Sequence, residues 1–112
     1  MNVTTTLIDY LDRATDIAWY RNSPKDAPDE YGTVQRDGGA SEIVKDEPVV
    51  TLMVYAATDG RAESLAGDVR DALLRAQWSV DNFFGVSVEG MYNDPLDGKH
   101  RHRITATLIV ND

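Results

Sequence analysis

From Val49 to Ala57, apolar side chains fall on both faces of an extended chain. Val50, Leu52, Val54 and Ala56 point one way; Val49, Thr51, Met53, Tyr55 and Ala57 point the other. A strand apolar on both sides belongs in the middle of a sheet, with cover on each face. The period then lengthens. Ala62, Leu65, Ala66, Val69, Ala72, Leu73 and Ala76 recur at helical spacing. Such small residues let a helix lie close on a sheet. Asp59 is the expected N-cap, because its carboxylate can accept an orphan backbone N–H. Asp71 and Arg75 stand in the favourable i, i+4 order. Residues 48–77 therefore predict the central strand, a tight turn and the longest helix.

The rest of the chain supplies elements to pack around that unit. Residues 3–14 predict a short amphipathic helix, with Val3, Leu7, Tyr10, Leu11 and Ala14 on one face. Asn2 or a nearby threonine can cap it, and Asp9 near its start suits the helix dipole. Ile17 to Arg21 predicts a short strand in which Trp19 anchors the core or an interface. Pro24 and Pro28 among charges make 22–30 an exposed loop. Tyr31 to Arg36 is a second strand, ended by the turn signal Asp37-Gly38-Gly39. Residues 37–47 then form a long polar loop, and Pro48 opens the central strand.

Gln77 to Gly85 is a connection rich in aromatic area: Trp78, Phe83 and Phe84 either plug the end of the sheet or meet another subunit. Val86 to Tyr92 and His102 to Val110 are two further strands, joined by a turn-rich stretch. In the last strand Ile104, Ala106, Leu108 and Val110 face one side, and Arg103, Thr105 and Thr107 the other. Such clean alternation predicts one wetter face. The expected fold is α+β, with a mixed, mostly antiparallel sheet of about five strands and two helices packed on it. The spare face of the central strand is left either to the N-terminal helix or to a neighbouring chain.

Composition narrows the function. A chain of 112 residues is expected to be one domain, 1–112. It has no cysteine, which excludes a disulfide scaffold and thiolate metal sites. The start MNVTTTLIDY lacks the basic region and apolar run of a signal peptide. No apolar stretch is long enough to cross a membrane. The formal charge of −8 argues against general nucleic-acid binding, which needs a basic face.

Candidate chemistry is thin. Lys99-His100-Arg101-His102-Arg103 is the one dense basic patch. His100 and His102 share a strand face, but no third ligand is indicated by spacing, so no metal site is expected. A basic strand end on so acidic a chain fits an acidic loop of a neighbouring copy. Reversing Arg101 and Arg103 is then expected to weaken oligomers with little loss of thermal stability. Asp26, Asp29 and Glu30, Asp46 and Glu47, and Asp94 and Asp97 are loop carboxylates of the kind usually solvated. Residues 94–98 lack the spaced ligands of a calcium loop. No serine stands in a nucleophile elbow, and Gly38-Gly39 has no phosphate-loop lysine beside it. These residues show no catalytic, cofactor or metal site, and the pattern favours a self-associating structural protein.

An ordered set of features spans nearly the whole chain. They are the proline-containing loop before a strand ending Arg36-Asp37-Gly38-Gly39, the strand end Tyr55-Ala56-Ala57 feeding an Ala/Leu-rich helix, the Asn93-Asp94-Pro95 turn, and the last strand Arg103-Ile104-Thr105-Ala106-Thr107. In this the chain resembles the small tail terminator, or tail completion, proteins of long-tailed bacteriophages, especially actinobacterial phages and prophages. The resemblance implies a homo-oligomeric ring, typically hexameric, on the head-proximal end of the tail tube. Such a ring ends tube polymerisation and presents a joining surface to the neck proteins of the head. It implies residence in the virion, assembly in the host cytoplasm, no cofactor, no enzymatic activity, no nucleic-acid specificity and no membrane. The expected partners are further copies, the tail tube protein and head-completion proteins. The expected interface residues are Arg36, Asp37, Gly38, Gly39, Lys99, Arg101 and Arg103. Other neck, connector or tube subunits, and a small ligand- or metal-binding domain, are the alternatives.

Overall fold

A computed structural model describes residues 1–41 and 45–111. Helix α1 (Val3–Ala14) is followed by β1 (Ala18–Tyr20), β2 (Tyr31–Ser41), β3 (Lys45–Ala56), α2 (Asp59–Ser79), β4 (Phe83–Asn93) and β5 (His100–Asn111). The five strands form one sheet in the order β1-β2-β3-β5-β4. Only the β1–β2 pairing is parallel; the others are antiparallel. The fold is therefore α+β with a mixed, mostly antiparallel sheet, as the periodicities predict. β3 is the central strand. β3 and β4 run the same way with β5 between them, so α2 crosses over β5.

The apolar helical stripe of α2 is the buried one: Ala62, Leu65, Ala66, Val69, Ala72, Leu73 and Ala76. Its N-cap is Thr58, whose hydroxyl accepts from Arg61 N–H at 3.2 Å. Asp59 is instead the acidic residue of the first turn, where it suits the dipole without capping. The Asp71 carboxylate accepts from Arg70 at 3.3 Å. On α1 the cap is Asn2, which accepts from Thr5 N–H at 3.1 Å. The first turn of α1 holds no acidic residue; Asp9 lies in the second. Thr4 joins Val3, Leu7, Tyr10 and Leu11 in burial, while Ala14 is exposed.

Both helices lie on the same face of the sheet. Their buried side chains form one core cluster with Val34, Val50, Leu52, Val54, Ile104, Ala106, Leu108 and Val110. The Tyr10 hydroxyl donates to the Ala72 carbonyl at 2.7 Å and fixes α1 beside α2. Trp19 packs into this core, its indole N–H donating to the Thr15 hydroxyl at 2.8 Å. Among the described residues, no helix lies on the opposite face of the sheet.

Two expected loops are shorter than their sequences suggest. Asp37-Gly38-Gly39 does not end β2. The register shifts between Arg36 and Gly38, and pairing continues to Ser41↔Asp46. The long polar loop is therefore mostly a β-hairpin arm, and only residues 42–44 of it lie outside the described residues. Gly39 sits at φ +115°, and a Cβ there would lie 2.1 Å from the Glu47 carbonyl oxygen. Glycine thus permits a bulge within a strand rather than a turn. Pro48 falls inside β3; the ladder to β5 lapses between Asp46↔Val110 and Val49↔Thr107, where proline has no N–H to give. α2 also runs on to Ser79, so the aromatic connection shrinks to three residues. Of its aromatics Phe83 plugs the core, but Trp78 is 78% and Phe84 64% exposed.

Candidate functional site

The helix-free face of the sheet is the surface left for function. Its rows follow from the register. Tyr31, Thr33 and Gln35 of β2 stand opposite Tyr55, Met53 and Thr51 of β3. These in turn stand opposite Arg101, Arg103 and Thr105 of β5. The face is unevenly covered. Tyr31, Thr33, Thr51 and Tyr55 are buried, Val49 and Met53 are half-buried, and Ile109 is exposed. The spare face of the central strand thus remains open along Val49 and Met53.

One end of this face is closed by a cross-strand stack. The Tyr31 and Tyr55 rings lie 4.4 Å apart and nearly parallel, at 6°. Tyr20 meets Tyr31 edge-on at 6.0 Å. The Tyr31 hydroxyl reaches Ser23 Oγ at 3.1 Å, tying the 21–30 loop to the stack. On the far side of Tyr55, Lys99 Nζ lies 5.9 Å and the Arg101 guanidinium 5.8 Å from the ring centroid. Burial raises the Tyr55 phenol's pKa, but hydrogen bonds to Arg101 and Ser23 and the charges of Arg101 and Lys99 outweigh it. The net position is below the ordinary tyrosine value.

The arginines of β5 have a partner within the chain. Arg101 donates to the Asp94 carbonyl at 2.7 Å and to its carboxylate at 3.1 Å. Arg103 donates to the same carboxylate at 3.0 Å. Asp94 is therefore not an idle loop carboxylate, and it clamps the β4–β5 hairpin. These contacts within the chain weigh against the expectation that charge reversal brings little loss of thermal stability. Arg101 has only 11% of its side chain exposed, so its loss removes a largely buried charge-assisted contact and leaves the half-buried Asp94 carboxylate to Arg103 alone. Arg101→Gln is expected to cost about 2 kcal/mol in urea denaturation. Arg103→Gln, at a wetter position, should cost less than about 1 kcal/mol.

The expected interface residues fall into two groups at opposite ends of the sheet. At the arm end, Arg36 forms a two-pronged ion pair with Asp46, at 2.6 and 2.8 Å, and donates to the Gly38 carbonyl at 3.1 Å. The hydrogen bonds from Arg36 hold the Asp46 carboxyl below its usual range. Asp37, on the bulge, accepts a hydrogen bond from the Thr51 hydroxyl. Gly38 and Gly39 carry the bulge itself. At the other end stand Lys99, Arg101 and Arg103. His100 is exposed, whereas His102 is buried against the helices with Nδ1 unpartnered.

Sequence reasoning missed the tyrosine stack, the Asp94 clamp and the Arg36–Asp46 pair. One signal was available for the clamp. Asp97 and Gly98 have φ +42° and +80°, and Leu96 and Lys99 exchange backbone hydrogen bonds across them. An Asp-Gly two-residue hairpin turn fixes the register outward from itself, which places Asp94 opposite Arg101.

Among the described residues, no group of three or more His, Cys, Asp or Glu side chains converges to hold a metal. No described helix is long and apolar enough to cross a membrane. Compared with known proteins, the chain matches no family model and no curated protein sequence.

Proposed function

We propose that this chain is the subunit of a homo-oligomeric ring that caps a bacteriophage tail tube and presents a surface to the neck proteins of the head. The observation that carries the proposal is the one-sided sheet. Both helices serve a single core, which leaves the opposite face and both sheet edges for other chains. β4 is an edge strand of 11 residues, and the outer side of β2 is flanked only by the three-residue β1. Bulges at Phe83/Gly85 and Val88/Gly90 interrupt the β4 edge, a feature that restrains open-ended pairing. A subunit of a closed ring needs neighbour surfaces without runaway polymerisation. In this reading the ring partners are further copies, the tail tube protein and head-completion proteins, and its site is the head-proximal end of the virion tail.

The experiment is negative-stain imaging of the purified chain together with mass measurement in solution. Rings of uniform size are the expected result. Long tubes formed by the chain alone would make it a tube subunit instead. A strict monomer at high concentration with divalent ions present would overturn the ring.

A further inference from the structure

The β2–β3 arm joins the body of the sheet across a line of broken pairing. In β2 the register shifts between Arg36 and Gly38. In β3 the ladder to β5 has no pair at Glu47 or Pro48, which stand opposite Ala40 and Gly39 of β2. In β4 the register shifts again between Phe83 and Gly85, opposite Val110 and Ile109 of β5. Three adjacent ladders are therefore interrupted at one level. Bulges and a missing proline N–H remove the hydrogen bonds that would keep the sheet stiff there. Phe83 and Val110 tie the β4–β5 side of this line to the core, so movement falls to the β2–β3 side. There the arm has little to hold it. Residues 38–41 and Lys45 are exposed, and Asp46 and Glu47 are half-buried. None of these belongs to the core cluster. β1 pairs with Tyr31–Thr33 and does not reach the arm. Toward β5 the arm keeps the pairs Asp46↔Val110 and Lys45↔Asn111. Pro48, by contrast, is fully buried and stays with the body.

We propose that the arm is a hinged unit, latched shut by the Arg36–Asp46 pair, which opens at Gly38–Gly39 and Glu47–Pro48 while the core stays folded. The latch spans the broken line. Arg36 stands on the body side of the bulge and Asp46 on the arm side, joined by two hydrogen bonds at 2.6 and 2.8 Å. The Lys45–Glu47 pair, at 2.9 Å, lies within the arm and does not cross it. Asp37, held by the Thr51 hydroxyl, marks where the body ends. The Arg36 and Asp46 side chains are 33% and 13% exposed, so both are rehydrated once the arm swings away. Gly39 supplies the backbone freedom that a hinge needs, at φ +115°. Units with exposed hydrogen bonds and few apolar contacts open well before a domain unfolds. Opening frees the backbone N–H and C=O groups of the arm for other pairing and leaves the buried face undisturbed. The device belongs to a single chain and does not depend on the ring reading.

Native-state hydrogen exchange on the full chain, followed residue by residue at neutral pH and low urea, tests the device. In the parent, the hydrogen-bonded amides of 38–41 and 45–47 should share one protection factor. It should lie at least about 10-fold below that of Val50–Val54 and Ile104–Leu108, and it should change little with urea. Arg36→Gln and Asp46→Asn should each speed the whole arm by about 5-fold, as expected on losing an exposed two-pronged pair. The double variant should be no faster than either single one, because one substitution already removes the latch. Exchanging the charges, Arg36→Asp with Asp46→Arg, should return the arm toward the parent rate. Gly39→Ala is the independent variant, since its Cβ would lie 2.1 Å from the Glu47 carbonyl oxygen. It should leave the arm open and the core amides still protected. Arm amides that share the protection and urea dependence of the core would overturn the hinge, as would loss of core protection in Gly39→Ala. Rates that change only beside the substituted residue would show fraying and not a unit. Arm amides unmoved by Arg36→Gln and Asp46→Asn, or moved additively by the two, would overturn the latch.

Discussion

Leu52→Asp is expected to leave the chain unfolded. Leu52 lies at the middle of the central strand, with Val34 on one side and Ile104 on the other, and all three are essentially inaccessible to water. The helix stripe of α2 covers them. No lysine or arginine is among the described buried residues, so an aspartate here is either a buried charge without a fixed cationic partner or a carboxyl forced to hold its proton. The first costs far more than a domain's whole stability of about 5–15 kcal/mol, and the second still costs several. The control is Leu52→Met, which keeps the volume and should cost less than about 1.5 kcal/mol. Leu52→Ala lies between, at about 2–5 kcal/mol, because the surrounding sheet cannot collapse onto the void. Far-ultraviolet circular dichroism and urea denaturation read all three. A folded, cooperative Leu52→Asp chain at neutral pH would contradict this account of the core.

Gly32→Ala is the second large effect, and it works by crowding. Gly32 pairs with Trp19 across the parallel β1–β2 ladder, and the six-membered ring of the indole occupies the space a side chain at 32 would need. A Cβ at position 32 would sit 2.3 Å from Trp19 Cζ3. The ring cannot simply swing aside. Its N–H is held by Thr15, and the Trp19 backbone N–H donates to the Asp12 carboxylate at 3.0 Å. The expected loss is about 3 kcal/mol, the upper end for over-packing a core. At this chain length that corresponds to a fall of roughly 10–20 °C in Tm. In a Trp78→Phe background the remaining tryptophan reports directly, and its emission should shift red as the ring leaves the core. Trp19→Leu should lose much of its own cost when combined with Gly32→Ala, because the two positions share one space. Strict additivity of the two would show that the ring and the glycine are not in contact.

These two positions differ in how far the sequence announced them. Leu52 was plain, because alternation along a strand is a local property that survives in one dimension. Gly32 was silent. Its requirement for no side chain comes from Trp19, 13 residues earlier, through a strand pairing that periodicity does not encode. The charged end shows the same division. The Asp97-Gly98 turn sets Asp94 opposite Arg101 by local geometry alone. The contact of Arg101 with Tyr55 needs β5 inserted beside β3, a pairing between segments 46 residues apart. Residues 37–47 misled because glycines and charges mark turns in general. Here the same glycines serve a bulge, and Arg36 with Asp46 staples the arm across the two strands.

The central strand and long helix were the clearest elements in the chain, and they stand where their pattern put them. The sequence alone determined the helix and strand periods, the buried stripe of α2 and the wet face of β5, because each follows from side-chain spacing along a single element. It also showed that the central strand has a second apolar face. Only the tertiary structure decided what becomes of that face. An amphipathic helix asks for any apolar surface, and α1 found it beside α2, where Tyr10 reaches the Ala72 carbonyl. With both helices spent on one side, tyrosines and arginines from four strands close one end of the other side, and the rest stays open. The placement of α1 is a competition among distant surfaces, so it is settled by packing and not by the local order of residues.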